Sequence, residues 1–114
     1  MIQLGYFTID THDIDKARAF YSALFGWTFD EAQSHPTYAH VAGAQPPFGF
    51  TKVERAKNNE HLYFRVDDVD ALCERLVELG GRAAVPSDSE SGRTAVVSDD
   101  QGVSFSLWQP APGF

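Results

Sequence analysis

The side chains able to do chemistry in this chain are few, and they sit in short alternating runs. His61 heads the run His61-Leu62-Tyr63-Phe64-Arg65-Val66, where strand geometry puts its imidazole on one face with Tyr63. Tyr6 and Thr8 share a face in the segment Gln3 to Asp10, and Ser104, Ser106 and Trp108 share one near the end of the chain. Tyr38 and His40 alternate with Ala39 and Val41, and Phe48 and Phe50 share a parity that would suit a pocket floor. Opposite the first three of these faces, Leu62, Phe64 and Val66, then Phe7 and Ile9, and then Phe105 and Leu107 make purely apolar faces. Aromatic walls bearing a few hydroxyls and imidazoles suit a ligand cleft. They also suit a packed interior with satisfied hydroxyls, or a dimer interface.

His61 is the best candidate for a catalytic group, because an imidazole titrates near neutrality. Three roles stay open for it: a residual metal ligand, a pocket hydrogen-bonder or acid–base group, and a satisfied structural histidine. His12 and His35 read as solvated turn residues. Cys73 lies beside an apolar helical stripe and reads as a small core filler. No nucleophile elbow is visible, and Gly80-Gly81 stops a helix instead of opening one on a phosphate. Asp99-Asp100 reads as turn chemistry.

These side chains need a scaffold, and 114 residues make one domain's worth. Hydrophobic residues at 43% and charged residues at 22% are ordinary for a globular chain. A single cysteine excludes an internal disulfide and favours a reducing compartment. No apolar run reaches membrane-spanning length, and the first residues lack a signal-peptide pattern, so a cytoplasmic location is expected. Sixteen acids against nine bases give a net charge of −7. No basic face for nucleic acid is apparent, since Glu54 and Glu60 dilute Lys52, Arg55 and Lys57.

Gln3 to Asp10 reads as a strand. Ile14, Ala17, Phe20, Tyr21, Leu24 and Phe25 then fall at helical spacing, with Asp13 as N-cap and Gly26 as stop. Trp27 to Glu31, Thr37 to Ala42 and Phe48 to Val53 read as strands, and Arg55 to Asn59 as a polar linker. The pattern then restarts. His61 to Val66 is a strand, and Val69, Leu72, Cys73, Leu76 and Leu79 form a second helical stripe. Arg82 to Val85, Thr94 to Ser98 and Val103 to Trp108 are strands, with Ser87 to Gly92 and Asp99 to Gly102 as turns. A shift of 55 positions lays Asp13 on Asp68, Asp15 on Asp70, Leu24 on Leu79 and Gly26 on Gly81. An internal repeat of this kind governs the fold. The expectation is an α+β domain over 1–114. Two tandem βαβββ modules, about 3–53 and 60–109 with a linker about 54–59, form an eight-stranded curved-sheet cleft with two outer helices.

Asp13-Ile14-Asp15-Lys16-Ala17-Arg18-Ala19-Phe20-Tyr21 followed by Leu24-Phe25-Gly26-Trp27 resembles the first module of the vicinal oxygen chelate superfamily. That group holds the glyoxalases, bleomycin-resistance proteins and extradiol dioxygenases. Val66 to Asp70, Leu79-Gly80-Gly81 and Asp99 to Phe105 resemble its second module. Asp99-Asp100-Gln101-Gly102 departs from the usual Asp-Pro-Asp-Gly or Asp-Pro-Gln-Gly. The resemblance covers about Leu4 to Gln109 and implies a homodimer. Fold alone does not settle function, since this one carries several chemistries.

Enzymes of the superfamily hold a divalent metal that acts as a Lewis acid. The resemblance puts its ligand positions on Tyr6, on Gly49 or Phe50, on His61 and on Ser106. Only His61 is a good ligand, and His40 lies off the pattern, whereas catalytic zinc normally takes three protein ligands. The expectation is no catalytic metal, no cofactor, and a small-molecule ligand, aromatic or cationic, held by Tyr6, Tyr38, His40, Phe50, His61, Tyr63, Ser106 and Trp108. Sequestration, as in the bleomycin-resistance branch, would be the role. The alternative is a metal-dependent glyoxalase-like lyase or isomerase, or a ring-cleaving dioxygenase. The sequence leaves open whether the chain is an enzyme.

Overall fold

The computed structural model describes residues 1–114, which divide into two compact units, Met1–Ala56 and Lys57–Phe114. The boundary falls inside the polar segment expected as a linker. The chain is α+β, with two helices and eight strands in two open mixed sheets.

In the first unit β1 (Phe7–Thr11) leads into α1 (Ile14–Phe25). Asp13 caps the helix by accepting from the Lys16 amide. Gly26 ends it at φ 74°, a left-handed conformation that glycine adopts without a Cβ penalty. Ile14, Ala17, Phe20, Tyr21 and Leu24 are the buried stripe. β2 (Tyr38–His40) and β3 (Phe48–Lys52) complete a sheet of order β1-β3-β2. β1 and β3 run parallel, and β2 and β3 antiparallel. The core is aromatic. Tyr21 packs on Phe50 at 4.7 Å between centroids and stacks on Trp27 at 5.7 Å, while Phe7 stacks on Phe48 at 4.6 Å.

The strand expected over Trp27 to Glu31 does not form. Phe29 makes only an isolated bridge to Val41. The Asp30 carboxylate accepts from the Ala32 amide and turns the chain into a short 3-10 helix, Glu31–Gln33. A side chain that competes for local backbone donors ends strand pairing here.

In the second unit β4 (Tyr63–Arg65) leads into α2 (Val69–Glu78), capped by Asp68 through the Ala71 amide. β5 (Arg82–Ala83), β6 (Ser87–Ser89), β7 (Gly92–Ser98) and β8 (Ser104–Pro110) follow. The order is β4-β8-β7-β5, with β6 also on β7. β4 lies parallel to β8. The core is mostly aliphatic: Val69, Leu76, Ala95, Val97, Val103 and Leu107 are buried, together with Phe105.

Ser87 to Gly92, expected as a turn, instead supplies β6, because Ser87 to Ser89 pair in register with Gly92 to Thr94. The eight strands are therefore divided three and five, not four and four.

Candidate functional site

The sheet of the first unit turns Ile9, Ala39, Val41, Phe48 and Phe50 toward the buried side. Tyr38, His40 and Gly49 lie on the other face, with Gly49 opposite His40 in the register. There the side chains join into a chain. The Tyr6 hydroxyl donates to the Tyr38 hydroxyl at 2.6 Å, and the Tyr38 hydroxyl lies 2.5 Å from His40 Nδ1. Tyr38 lies directly over Gly49. A Cβ at position 49 would come within 2.5 Å of both the Tyr38 hydroxyl and the Ala39 carbonyl. The chain is thus built around a missing side chain. Burial holds the Tyr38 phenol above its ordinary range, and hydrogen-bonded Tyr6 adds to the rise. Tyr38 therefore relays hydrogen bonds as a neutral group.

His40 is fixed from a second element. Its amide donates to Ser34 Oγ at 3.0 Å, and its carbonyl accepts from the Asp30 amide at 2.9 Å. The Asp30 carboxyl is held below its ordinary value, first by the hydrogen bond from the Gln33 side chain. The His35 ring faces Tyr38 at 5.8 Å.

In the second unit Tyr63 pairs with Ser106 across β4 and β8, and Trp108 pairs with both Arg65 and Thr94. Tyr63, Trp108, Thr94, Ser89 and Ser91 line a hollow of about 440 Å³. Trp108 is oriented by its indole N–H, which donates to the Ser91 carbonyl at 3.1 Å. The Arg65 guanidinium lies over its ring, 5.7 Å from the centroid. Hydroxyls beside two aromatic rings can hold a flat ligand by stacking and orient it by hydrogen bonds.

The expected site residues thus fall into two groups. Tyr6, Tyr38 and His40 are brought together in the first unit, and Tyr63 and Trp108 in the second. Three others are placed differently from expectation. Phe50 is not a pocket floor: it is fully buried against Tyr21, because its parity turns it toward α1. Ser106 is buried, and its hydroxyl donates to the Glu60 carbonyl at 2.5 Å. His61 lies outside β4, exposed in a turn closed by the Leu62 amide on the Asn59 carbonyl. Pairing with β8 begins only at Leu62, whose carbonyl accepts from the Ser106 amide.

Ser89, Ser91 and Thr94 were not expected at a site. The only signal for them was the run of small hydroxyl residues between Ser87 and Thr94, which reads equally well as a turn. A larger hollow of about 580 Å³ beside the start of α1 holds none of the expected residues. It is lined by charged groups, and the Arg18–Glu31 ion pair is among them.

No group of three or more His, Cys, Asp or Glu side chains stands close enough to hold an ion. Of the positions the superfamily uses, Tyr6 bonds Tyr38, Gly49 offers no donor, Ser106 is committed to a carbonyl, and His61 is exposed in its turn.

This architecture, with a helix following the first strand of each unit and that strand parallel to the last, defines a class. The chain belongs to the glyoxalase-like domain family, which it matches over residues 6–108. Among particular relatives, it is 38% identical over 109 residues to the Mycobacterium tuberculosis protein CFP32, whose name carries a provisional glyoxylase assignment. That match covers 86% of this chain and 40% of CFP32. It is 30% identical over 126 residues to the anthracycline biosynthesis protein DnrV of Streptomyces peucetius, covering 92% of this chain and 46% of DnrV. The chain therefore spans less than half the length of these curated relatives. The crystal structure of TnmS3, an antibiotic binding protein from Streptomyces sp. CB03234, superposes with a TM-score of 0.74 at 27% identity, covering 97% of this chain and 98% of TnmS3. No helix is long and apolar enough to cross a membrane.

Proposed function

We propose that this chain is a small-molecule binding protein that takes a flat aromatic ligand, neutral or cationic, and works by sequestration without a resident metal. The carrying observation is the hollow walled by Tyr63 and Trp108 and edged by Ser89, Ser91 and Thr94. Its volume of about 440 Å³ suits a drug-sized molecule. The likeness to TnmS3, an antibiotic binding protein, and to DnrV, an anthracycline biosynthesis protein, supports a drug-sized ligand. The donor chemistry at Tyr6, Gly49, His61 and Ser106 supports metal independence. A homodimer and a cytoplasmic location belong to the same reading. Light scattering at several concentrations tests the first.

An anthracycline titrated against tryptophan fluorescence tests binding. Saturable quenching is expected, with affinity about tenfold weaker in Trp108→Ala. Trp27→Phe, a change in the packed aromatic core, is expected to leave the affinity unchanged. Loss of binding in neither variant would remove the hollow from the reading. Metal analysis of protein purified without chelator or histidine tag tests the other half. A stoichiometric ion lost in His61→Ala would favour the metal-dependent lyase or dioxygenase instead.

A further inference from the structure

The hydrogen-bonded chain in the first unit has a direction, and the direction has a ligand preference. We propose that Tyr6 is a recognition point that presents only lone pairs to a ligand and so selects a hydrogen-bond donor, an organic ammonium, over an otherwise similar cation without N–H. This rests on the reading that the chain binds small molecules, and it names the ligand chemistry that the first unit would take.

Neutral imidazole has one donor nitrogen and one acceptor nitrogen. Nδ1 of His40 lies 2.5 Å from the Tyr38 hydroxyl, and Nε2 makes no hydrogen bond within the protein. With the proton on Nε2, Nδ1 accepts from Tyr38. Tyr38 has a single proton, so once it donates to His40 it can only accept from Tyr6. The Tyr6 hydroxyl then spends its own proton on Tyr38, in the sense the geometry gives at 2.6 Å. Tyr6 is half exposed, and its hydroxyl makes no other hydrogen bond. What faces outward is an oxygen with lone pairs and no proton to give.

Three features hold these side chains in place. Gly49 leaves the space that Tyr38 occupies. Ser34 holds the His40 amide. Burial keeps Tyr38 protonated, so it does not become an acceptor at both ends. The charged and titratable groups around His40 are Asp30 from the 3-10 segment, Tyr38 on its own strand, Tyr6 from before β1 and, across Tyr38, His35. A polar array this ordered does nothing for the core. A ligand donor meeting an aimed acceptor gains a charge-assisted hydrogen bond.

The test uses the whole chain and two probes, 2-(2-naphthyl)ethylammonium and its N,N,N-trimethyl analogue, titrated by tryptophan fluorescence and calorimetry. The wild type is expected to bind the ammonium about tenfold more tightly than the trimethyl cation. Tyr6→Phe is expected to erase that preference. His40→Lys replaces the terminal acceptor with a donor, so the chain must run outward and the preference must fall. Nitrogen-15 NMR of the unliganded protein reads the direction without any probe: His40 Nδ1 is expected to be unprotonated and accepting. A protonated Nδ1 in the neutral ring would overturn the proposal. So would equal binding of the two probes, or a preference that survives Tyr6→Phe. Equal binding with quenching would sink this inference and leave the binding reading standing. If neither these probes nor an anthracycline bound, both would fall.

Discussion

The two units solve the same layout with different materials. Each lays its first strand parallel to its last and follows that first strand with a helix capped by an aspartate. In the first unit the helix is packed through rings: its Tyr21 joins Trp27, Phe48 and Phe50 in one aromatic cluster. In the second the corresponding space is filled largely by Val, Leu and Ala. The faces away from the helices differ in how they use their rings. The first unit ties Tyr6, Tyr38 and His40 into a hydrogen-bonded relay, and the second walls a hollow with Tyr63 and Trp108. The lesson is that the layout depends on parity and caps, while the choice of side chain on each face is free to differ between units.

The largest expected effect tests the cores. Phe50→Ala removes a fully buried ring from the aromatic stack and is expected to cost about 3–5 kcal/mol in urea unfolding. Leu107→Ala, its counterpart in the aliphatic core, is expected to cost less, on the order of 2–4 kcal/mol. A reversed order would break the contrast between the two cores.

Next comes Gly49→Ala. The added methyl meets the Ala39 carbonyl, which is backbone and cannot swing aside, as well as the Tyr38 hydroxyl. A loss of about 1–3 kcal/mol is expected, with the His40 Nδ1 resonance moving as the relay breaks. An unchanged resonance would show that Tyr38 does not depend on the space at 49.

The smallest effect sharpens the second unit. Arg93 grips Asp70 at 2.9 and 3.1 Å and Asp88 at 3.0 Å, tying α2 and β6 to β7. The Arg93 side-chain hydrogen bond holds the Asp70 carboxyl below its ordinary value of 3.8. A lowered native value stabilises above the unfolded value and is lost as pH falls through the native one. Arg93→Ala should therefore lower the melting temperature slightly above about pH 4, with the difference from the wild type shrinking as the pH falls further and smaller throughout in high salt. An equally steep acid limb in the variant would count against the pair.

Much of this was legible in residue order. Ile14, Ala17, Phe20, Tyr21 and Leu24 mark a helix by period alone, and Asp13 and Asp68 mark its start in both units because a carboxylate suits free amides. The shared face of Tyr38 and His40 follows from alternation. The bond that joins Tyr6 to them does not, because it depends on what position 49 lacks and on chain geometry more than 30 residues away. His61 was misplaced by one step of pairing. A run that alternates well does not reveal where its partner strand stops, and β8 stops pairing at Leu62. Phe50 was misassigned because parity groups residues without saying which side the helix covers. The Asp30 turn escaped because a single carboxylate redirected three residues.

The parallel closure of each sheet also bears on how the chain comes to be ordered in time. The paired ends of each unit stand roughly forty residues apart, and closing a loop of that length costs entropy before any ladder bond repays it. Neither first strand can find its partner by a simple hairpin. β1 must wait for β3, and β4 for β8, with a helix already in place to bring them side by side. During synthesis the second sheet therefore stays incomplete until its last strand is free, and the tryptophan that walls its hollow arrives on that same strand. The walls of the hollow and the fold of that unit are consequently completed by one event.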